Sequence, residues 1–207
     1  YLLAQNFSRP VLEMTAAVEQ VAAGNLDTTV NARTRDEIGR MGRAFNGMLP
    51  KLREHIRMHN ALSVAMEVQQ SLLPQQAPAM EHLDIAGKSI YCDETGGDYF
   101  DFLSIDRFSK DHLLATIGDV TGHGIAAALL MATGRALLRS RMEQPGSIAQ
   151  VITDMNRHLI NQRTPDRFMT LYCLLIDQGQ RRFSWVSAGH DAAIAYDPDT
   201  DSFHELE

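Results

Sequence analysis

The sequence is poor in cysteine, with Cys92 and Cys173 as the only two among 207 residues. They lie far apart in apolar stretches and lack the short Cys-x-x-Cys spacing that is typical of structural zinc sites. The sequence therefore predicts neither a disulfide framework nor a zinc knuckle. We expect two buried thiols in a reducing compartment.

Long apolar runs are also missing. No stretch reaches the roughly 18 residues that a membrane-spanning helix needs, and no signal peptide is visible. The chain does not begin with Met, and residues 203–207 carry no sign of a natural end. We therefore expect a fragment of a longer protein.

Positive charge is in deficit, with 19 Lys and Arg against 26 Asp and Glu and a net charge of −7. This balance argues against nucleic acid as a partner, because binding to phosphates needs a basic face. The chain is 44% hydrophobic and 22% charged, which is typical of a globular protein.

The first third of the chain has the periodicity of two helices. Pro10 suits the first turn of a helix over residues 10–22, and an extended segment follows over 26–35. Asp36 then opens a second helix, predicted to run to residue 73 and to end before Pro74. The apolar stripes are Val11, Met14, Val18 and Val21 in the first helix and Ile38, Met41, Phe45, Met48 and Leu52 in the second.

Two such narrow stripes cannot form a core alone, so they predict a parallel four-helix bundle in a homodimer. The second apolar stripe continues through Ile56 to Leu73. Polar residues at His59 and Gln69 interrupt it and would weaken the packing between helices, which we call the seam. The sequence at 24–26, 36–39 and 44–48, together with Pro10 and the stripes, resembles a HAMP domain; a generic helical hairpin is the alternative. The resemblance implies a transmembrane helix before Tyr1, and a location on the cytoplasmic side of the inner (cytoplasmic) membrane.

Three domains or segments are predicted: a HAMP domain over 1–56, a signalling helix with a Pro-rich linker over 57–80, and an α+β domain over 81–207. Short apolar runs predict strands in the last of these, with two helices between the third and the fourth. This order favours hairpin-linked strands over alternating βαβ units. The predicted strands are 83–92, 97–105, 112–118, 169–177, 181–188 and 192–197, and the helices are 123–142 and 146–162.

Two glycine-rich motifs carry candidate chemistry. The first is GGDYFD at 96–101, and the second is GDVTGHG at 118–124, which follows a predicted strand. Hard cations such as Mg²⁺ and Mn²⁺ bind carboxylate and carbonyl oxygens, which Asp98, Asp119 and the carbonyl of Val120 can supply. His123 is a candidate ligand as well, although we favour a supporting role for it because the site is rich in oxygen.

Five motifs in order resemble the SpoIIE/RsbU branch of PPM-type protein phosphatases. They occupy residues 67–74, 96–101, 118–132, 168–171 and 187–190. The resemblance implies an α-β-β-α sandwich and two Mn²⁺ or Mg²⁺ ions, which activate a water against phosphoserine or phosphothreonine. It also implies roles for Asp119 in bridging the metals, for the Val120 carbonyl as a ligand, and for Asp98 in holding a metal or its water. Asp98 and Asp119 are thus the predicted catalytic residues.

The chain departs from this family in one important way. A late Asp-Gly motif that supplies further metal ligands has no match in 191–207, so we expect an incomplete domain and a fragment that is inactive or nearly so. A smaller departure is Asp191 and Ala192, where relatives often carry proline. The resemblance implies an anti-sigma-factor antagonist as the phosphorylated substrate. The alternative function is a non-catalytic dimerisation and interaction module that relays a transmembrane signal.

Three weaker patterns do not carry a function. Gly87-Lys88-Ser89 lacks the earlier glycine of a phosphate-binding loop. His55 and His59 lack the glutamate of a zinc protease motif and are interpreted as a solvated helix face. The alternating aspartates at 197, 199 and 201 lack the glycine of a calcium loop, and they favour a polar hairpin turn instead.

Overall fold

The computed structural model describes residues 2–90, 96–105, 112–161 and 167–207, with the backbone alone described for residues 2–7. The chain divides into two compact units, Tyr1–Ala61 and Leu62–Glu207. Within the described ranges, no helix combines the length and the apolar character that a membrane crossing requires.

The first unit contains helix α1, Leu2–Ala22, and the beginning of helix α2, Glu37–Leu72. The predicted second helix is confirmed closely at both ends. The predicted start of the first helix at Pro10 is wrong, because α1 begins at Leu2 and Pro10 lies inside it. A proline inside a helix removes one backbone hydrogen bond, and here the helix continues on both sides of that gap.

A small core joins the two helices in this unit and is formed by Ala17, Phe45 and Leu49. The connecting segment is fixed by α2, because the amide of Asn46 accepts from the Val30 N–H at 3.0 Å and donates to the Val30 carbonyl at 2.9 Å. This pair of bonds gives a physical reason for the asparagine in the 44–48 motif.

The start of α2 explains the motif at 36–39. Asp36 caps the helix, since its Oδ1 accepts from the Gly39 N–H at 3.0 Å and from the Thr34 hydroxyl at 2.6 Å. The bond from Thr34 and then the bond from Gly39 lower the pKa of the Asp36 carboxyl. A Cβ on Gly39 would overlap the Thr34 carbonyl oxygen, so only glycine fits at this position.

The second unit is built on a four-stranded antiparallel sheet in the order β1-β2-β3-β4. Its strands are β1 Tyr99–Ser104, β2 His112–Val120, β3 Met169–Asp177 and β4 Arg182–Ala188. Helices α3, Ile125–Met142, and α4, Ile148–Asn161, separate β2 from β3, and a hairpin of β5, Ala193–Asp197, and β6, Ser202–Leu206, follows β4. The α+β class is therefore confirmed, and all of these elements except β6 agree closely with predicted ones.

Helices α3 and α4 cover one face of the sheet. Leu114 and Cys173 of the strands and Met131, Leu138 and Val151 of the helices are completely buried in the shared core. Cys173 is a free buried thiol, as predicted, whereas Cys92 lies outside the described residues.

The other face of the sheet contacts the end of the hairpin. The Tyr172 hydroxyl donates to the Leu206 carbonyl at 2.8 Å, and the Trp185 indole N–H donates to the Glu207 carbonyl at 2.7 Å. Tyr172 neighbours Cys173 along β3, so its side chain lies on the face opposite α3. The described residues thus contain one helical layer, one sheet and this hairpin of the implied α-β-β-α sandwich.

The predicted strand at 83–92 is wrong in its described part, 83–90. Only an isolated bridge between Met80 and Leu83 is found there. A Cβ on Gly87 would lie 2.7 Å from the ring of Phe100 and 3.1 Å from that of Phe102, so Gly87 lies against aromatic side chains of β1. Its remaining two residues lie outside the described ranges.

The polar hairpin turn predicted at the alternating aspartates is confirmed. Asp197 accepts from the Asp199 N–H at 3.0 Å and from the Thr200 hydroxyl at 2.9 Å. These bonds close the turn between β5 and β6. Strand β6 itself was not among the predicted strands.

Candidate metal centre

The turn before β1 lies directly against the end of β2. A Cβ on Gly97 would lie 2.5 Å from the carbonyl oxygen of Val120 and 3.0 Å from its nitrogen. Only glycine, which has no Cβ, allows two backbones to approach so closely. This contact brings Asp98, the residue after Gly97, beside Asp119, the residue before Val120.

The two predicted carboxylates meet as a result. The pKa of the Asp98 carboxyl is raised, first by burial and then by the negative charge of Asp119 and a hydrogen bond with it. Carboxyl groups that share a site resist ionising together, and a cation between them removes that repulsion. Asp98 and Asp119 therefore form a pair that suits a positively charged ligand.

The donor set fits a hard divalent cation. It consists of two carboxylates and the carbonyl of Val120, which faces the 96–98 turn. Mg²⁺ is often held by one or two carboxylates, while water fills the rest of its shell. Across the part of the chain that the structure describes, no group of three or more His, Cys, Asp or Glu side chains is arranged to hold a metal.

The loop after Asp119 is fixed by the segment at 167–170. The N–H of Thr121 donates to the Phe168 carbonyl at 3.0 Å, and the Phe168 N–H donates to the Thr121 hydroxyl at 3.0 Å. The Arg167 guanidinium donates to the Thr121 carbonyl at 3.2 Å. Two motifs that lie far apart in sequence are thereby joined into one surface.

Thr170 connects this surface to a third motif. Its hydroxyl donates to the Asp119 carbonyl at 3.3 Å and lies 2.8 Å from Nδ1 of His190. Ser187 in turn donates to the His190 carbonyl at 3.0 Å. Thr170 and His190 both belong to motifs that carry the family resemblance, but nothing in their sequence pattern predicts this bond.

Gln69 is a further residue whose position was not predicted. It was interpreted as a polar interruption of the helical seam, but it is only 4% exposed. Its amide donates to the Gly96 carbonyl and accepts from the Gly96 N–H at 3.4 Å. The seam interpretation failed because a helical periodicity cannot show which tertiary partner a polar side chain meets.

His123 lies in the same loop and is exposed. It is flanked by Gly122 and Gly124, which have positive φ angles of 85° and 78°. These two glycines turn the chain from the end of β2 into α3, which begins at Ile125.

The second aspartate of the GGDYFD motif has a different environment. Asp101 is completely buried on the core side of β1. The Arg139 guanidinium donates to both of its carboxylate oxygens, at 2.8 and 2.7 Å, and the Tyr99 hydroxyl donates to it at 3.0 Å. This carboxylate therefore anchors β1 to α3 and is separate from the Asp98–Asp119 pair.

Family models match both units of the chain. Residues 2–54 match the model of the HAMP domain, and residues 109–207 match the model of stage II sporulation protein E, SpoIIE. The chain joins a HAMP domain to a domain of the SpoIIE family. Both predicted resemblances are thus confirmed.

Similar proteins agree with this assignment. The phosphoserine phosphatase RsbU of Bacillus subtilis is 30% identical over 146 residues, which are 70% of this chain and 42% of RsbU. Protein IcfG of Synechocystis is 28% identical over 221 residues, covering 88% of this chain and 34% of IcfG. The chain therefore spans less than half the length of these two relatives.

A solved structure has a similar fold over most of the chain. The SiaA-PP2C domain of Pseudomonas aeruginosa matches with a TM-score of 0.57 at 19% identity. The match covers 74% of this chain and 61% of the SiaA chain. The implied phosphatase fold is thus supported by structure as well as by sequence.

Proposed function

We propose that this chain is the signalling part of a membrane-linked protein phosphatase that hydrolyses phosphoserine or phosphothreonine. The observation that carries the proposal is the pairing of Asp98 with Asp119 beside the Val120 carbonyl. Membership of the SpoIIE family and the likeness to the phosphoserine phosphatase RsbU support it.

The cofactor in this proposal is Mn²⁺ or Mg²⁺, with two ions per site. Bound divalent ions supply an activated water at neutral pH and stabilise charge on the phosphate. Asp98 and Asp119 would hold these ions together with the carbonyl of Val120. The bonds of Thr170 to the Asp119 carbonyl and to His190 fix the backbone from which the Asp119 carboxylate extends.

The proposed substrate is a phosphorylated antagonist of an anti-sigma factor. The family resemblance of the five motifs supports this choice. Under this proposal the phosphatase would release a sigma factor indirectly, by changing which partner the anti-sigma factor binds.

The HAMP domain is proposed to form a homodimer. Val11, Val18, Met41 and Met48 belong to the two apolar stripes, and each is between 42% and 50% exposed in the single chain. A parallel four-helix bundle would bury these side chains. We further propose a transmembrane helix before Tyr1, which places this part of the protein on the cytoplasmic side of the inner membrane.

A second candidate is a non-catalytic module that dimerises and docks partners. The small donor set favours it, because two carboxylates fill only part of the coordination shell of two ions. Both candidates predict the same fold and the same dimer, so only a measurement of hydrolysis separates them.

The test is hydrolysis of p-nitrophenyl phosphate by the full-length gene product, with and without Mn²⁺. Asp119→Ala is the variant, and Asp199→Ala, an exposed aspartate in the β5–β6 turn, is the matched control. The proposal predicts activity that requires Mn²⁺, that persists in the Asp199 variant and that is lost in the Asp119 variant. A folded, dimeric protein without activity would support the docking module.

A further inference from the structure

Gln69 lies in the last turn of α2, immediately beside the turn that carries Asp98. Its side chain is 4% exposed and bonds to both the N–H and the carbonyl of Gly96. A buried amide that pairs with both polar groups of one residue fixes the position of that residue, because loss of either bond leaves a buried group unsatisfied.

A short series of contacts leads from this amide to the metal centre. Gly96 is held by Gln69, and Gly97 packs against the backbone of Val120. Asp98 follows and meets Asp119. A single residue, Gly97, separates Gly96 from Asp98, so a shift of Gly96 moves the Asp98 carboxylate.

We propose that Gln69 is a positioning residue of the metal centre, which holds the 96–98 turn so that Asp98 remains beside Asp119. This inference rests on the proposed metal-dependent function. In this proposal Gln69 acts through Gly96 and is not itself a metal ligand. Its role is to set the geometry of one metal ligand before the metal binds.

The chemistry of the glutamine amide is specific to this role. It offers both a donor and an acceptor, whereas an ionised glutamate offers acceptors alone and leucine offers neither. Residues that orient a metal ligand change metal affinity by about 10–100-fold when they are replaced. We therefore expect Gln69→Leu to weaken Mn²⁺ binding by about that factor, and Gln69→Glu to weaken it as well, because a carboxylate would face the Gly96 carbonyl.

The experiment measures Mn²⁺ binding by electron paramagnetic resonance in the full-length gene product. The variants are Gln69→Leu and Gln69→Glu, with Gln70→Leu as the matched control on the same helical turn and Asp119→Asn as the reference for a lost ligand. Amide hydrogen exchange of the metal-free proteins is measured in parallel. Thermal unfolding shows whether each variant is folded.

The inference predicts weaker Mn²⁺ binding in both Gln69 variants and faster exchange confined to residues 96–98, with Gln70→Leu unchanged in both measurements. Unchanged Mn²⁺ binding in a folded Gln69→Glu protein would overturn it. Faster exchange spread over β1, β2 and α3 would also overturn it, since that pattern indicates a purely structural role. If the Gln69 variants bind Mn²⁺ normally while Asp119→Asn does not, this inference is wrong and the proposed function stands. If the wild-type protein binds no Mn²⁺, the proposed function itself is wrong.

Discussion

The hydroxyl of Thr170 lies 2.8 Å from Nδ1 of His190 and 3.3 Å from the Asp119 carbonyl oxygen. Since a hydroxyl has a single hydrogen, the tautomer of His190 decides whether Nδ1 donates to Thr170 or accepts from it. In either case Thr170 links His190 to the backbone of Asp119. They join three separate motifs at the end of β2.

Replacing Thr170 by valine removes this connection while it keeps the shape of the side chain. We expect Thr170→Val to weaken Mn²⁺ binding by about tenfold, because Asp119 loses a partner that fixes its backbone. The cost in unfolding free energy is expected to be about 1 kcal/mol. Calorimetric titration with Mn²⁺ and denaturant unfolding measure the two effects.

The control for this prediction is Thr116→Val, the same change in the same sheet. The Thr116 hydroxyl donates to the Tyr172 carbonyl at 3.0 Å and is buried away from the site. Its loss should cost a similar free energy and leave Mn²⁺ binding unchanged. Equal Mn²⁺ affinities in the two valine variants would contradict the role assigned to Thr170.

A methyl group at Gly97 should separate the two carboxylates. The new Cβ in Gly97→Ala would meet the Val120 backbone at 2.5 Å, and a backbone cannot rotate away as a side chain can. We expect a loss of about 1–3 kcal/mol of stability, together with weaker Mn²⁺ binding, as measured by unfolding and by titration.

Gly47→Ala is the control for this substitution. Gly47 lies inside α2, and nothing approaches within 4 Å of the position of its Cβ. Alanine there should increase the unfolding free energy of the HAMP domain by up to about 1 kcal/mol. A Gly97→Ala protein with native stability and native Mn²⁺ binding would show that the close contact with Val120 is not needed.

The ion pair between the buried Asp101 and the partly exposed Arg139 should be important for stability. Arg139→Leu removes both bonds to a completely buried carboxylate and leaves Arg135, 3.6 Å away, as its nearest cation, so we expect a cost of about 1–3 kcal/mol. The surface pair of Arg157 with Asp154 provides the control, and Arg157→Leu should cost less than about 1 kcal/mol. If urea unfolding gives a similar loss of unfolding free energy in both variants, the anchoring role of Asp101 is contradicted.

The two carboxylates of the candidate site could be named from the sequence because each lies in a motif of distinctive composition. Asp98 and Asp119 were grouped because hard cations bind carboxylate oxygens, and the close contact of Gly97 with Val120 is what brings them together. Gln69 could not be assigned, because helical periodicity reports the face of a helix and not the partner it meets. Thr170 and His190 were visible only as motif members, since their bond depends on the register between β3 and the chain after β4.

The same distinction applies to the fold. The apolar run at 169–177 predicted β3 correctly, because a buried central strand is apolar almost throughout. The run at 83–90 looked similar, but it forms no strand and leaves Leu83 and Ile90 exposed, so its apolar pattern reflected neither burial nor strand pairing. The start of α1 was misplaced at Pro10 because proline suits the first turn of a helix. Here the helix begins at Leu2 and continues through the proline.

Burial of Cys173 predicts a dependence of stability on pH. Burial raises the pKa of the thiol from 9.0 to about 11, and a hydrogen bond with Thr116 opposes this rise. The unfolded chain loses the thiol proton first, so the free energy of unfolding should fall between pH 9 and pH 11. Two pKa units correspond to roughly 2–3 kcal/mol.

The check on this prediction is the difference between the wild-type protein and Cys173→Ala. Tyr99 and Tyr172, whose pKa values are also raised by burial, contribute equally to both proteins and cancel in the difference. The wild-type protein should lose stability more steeply than the variant over this interval. If the free energies of unfolding of the two proteins change in parallel with pH, the thiol ionises as easily in the folded protein as in the unfolded chain.

The most direct test of the account is whether Asp98 and Asp119 together hold a divalent cation. Mn²⁺ binding to the full-length gene product is measured by electron paramagnetic resonance for the wild-type protein, Asp98→Asn, Asp119→Asn and the exposed control Asp199→Asn. The account predicts that each of the first two variants loses at least about tenfold in affinity while the control binds like the wild-type protein. Unchanged Mn²⁺ binding in both Asp98→Asn and Asp119→Asn would contradict it.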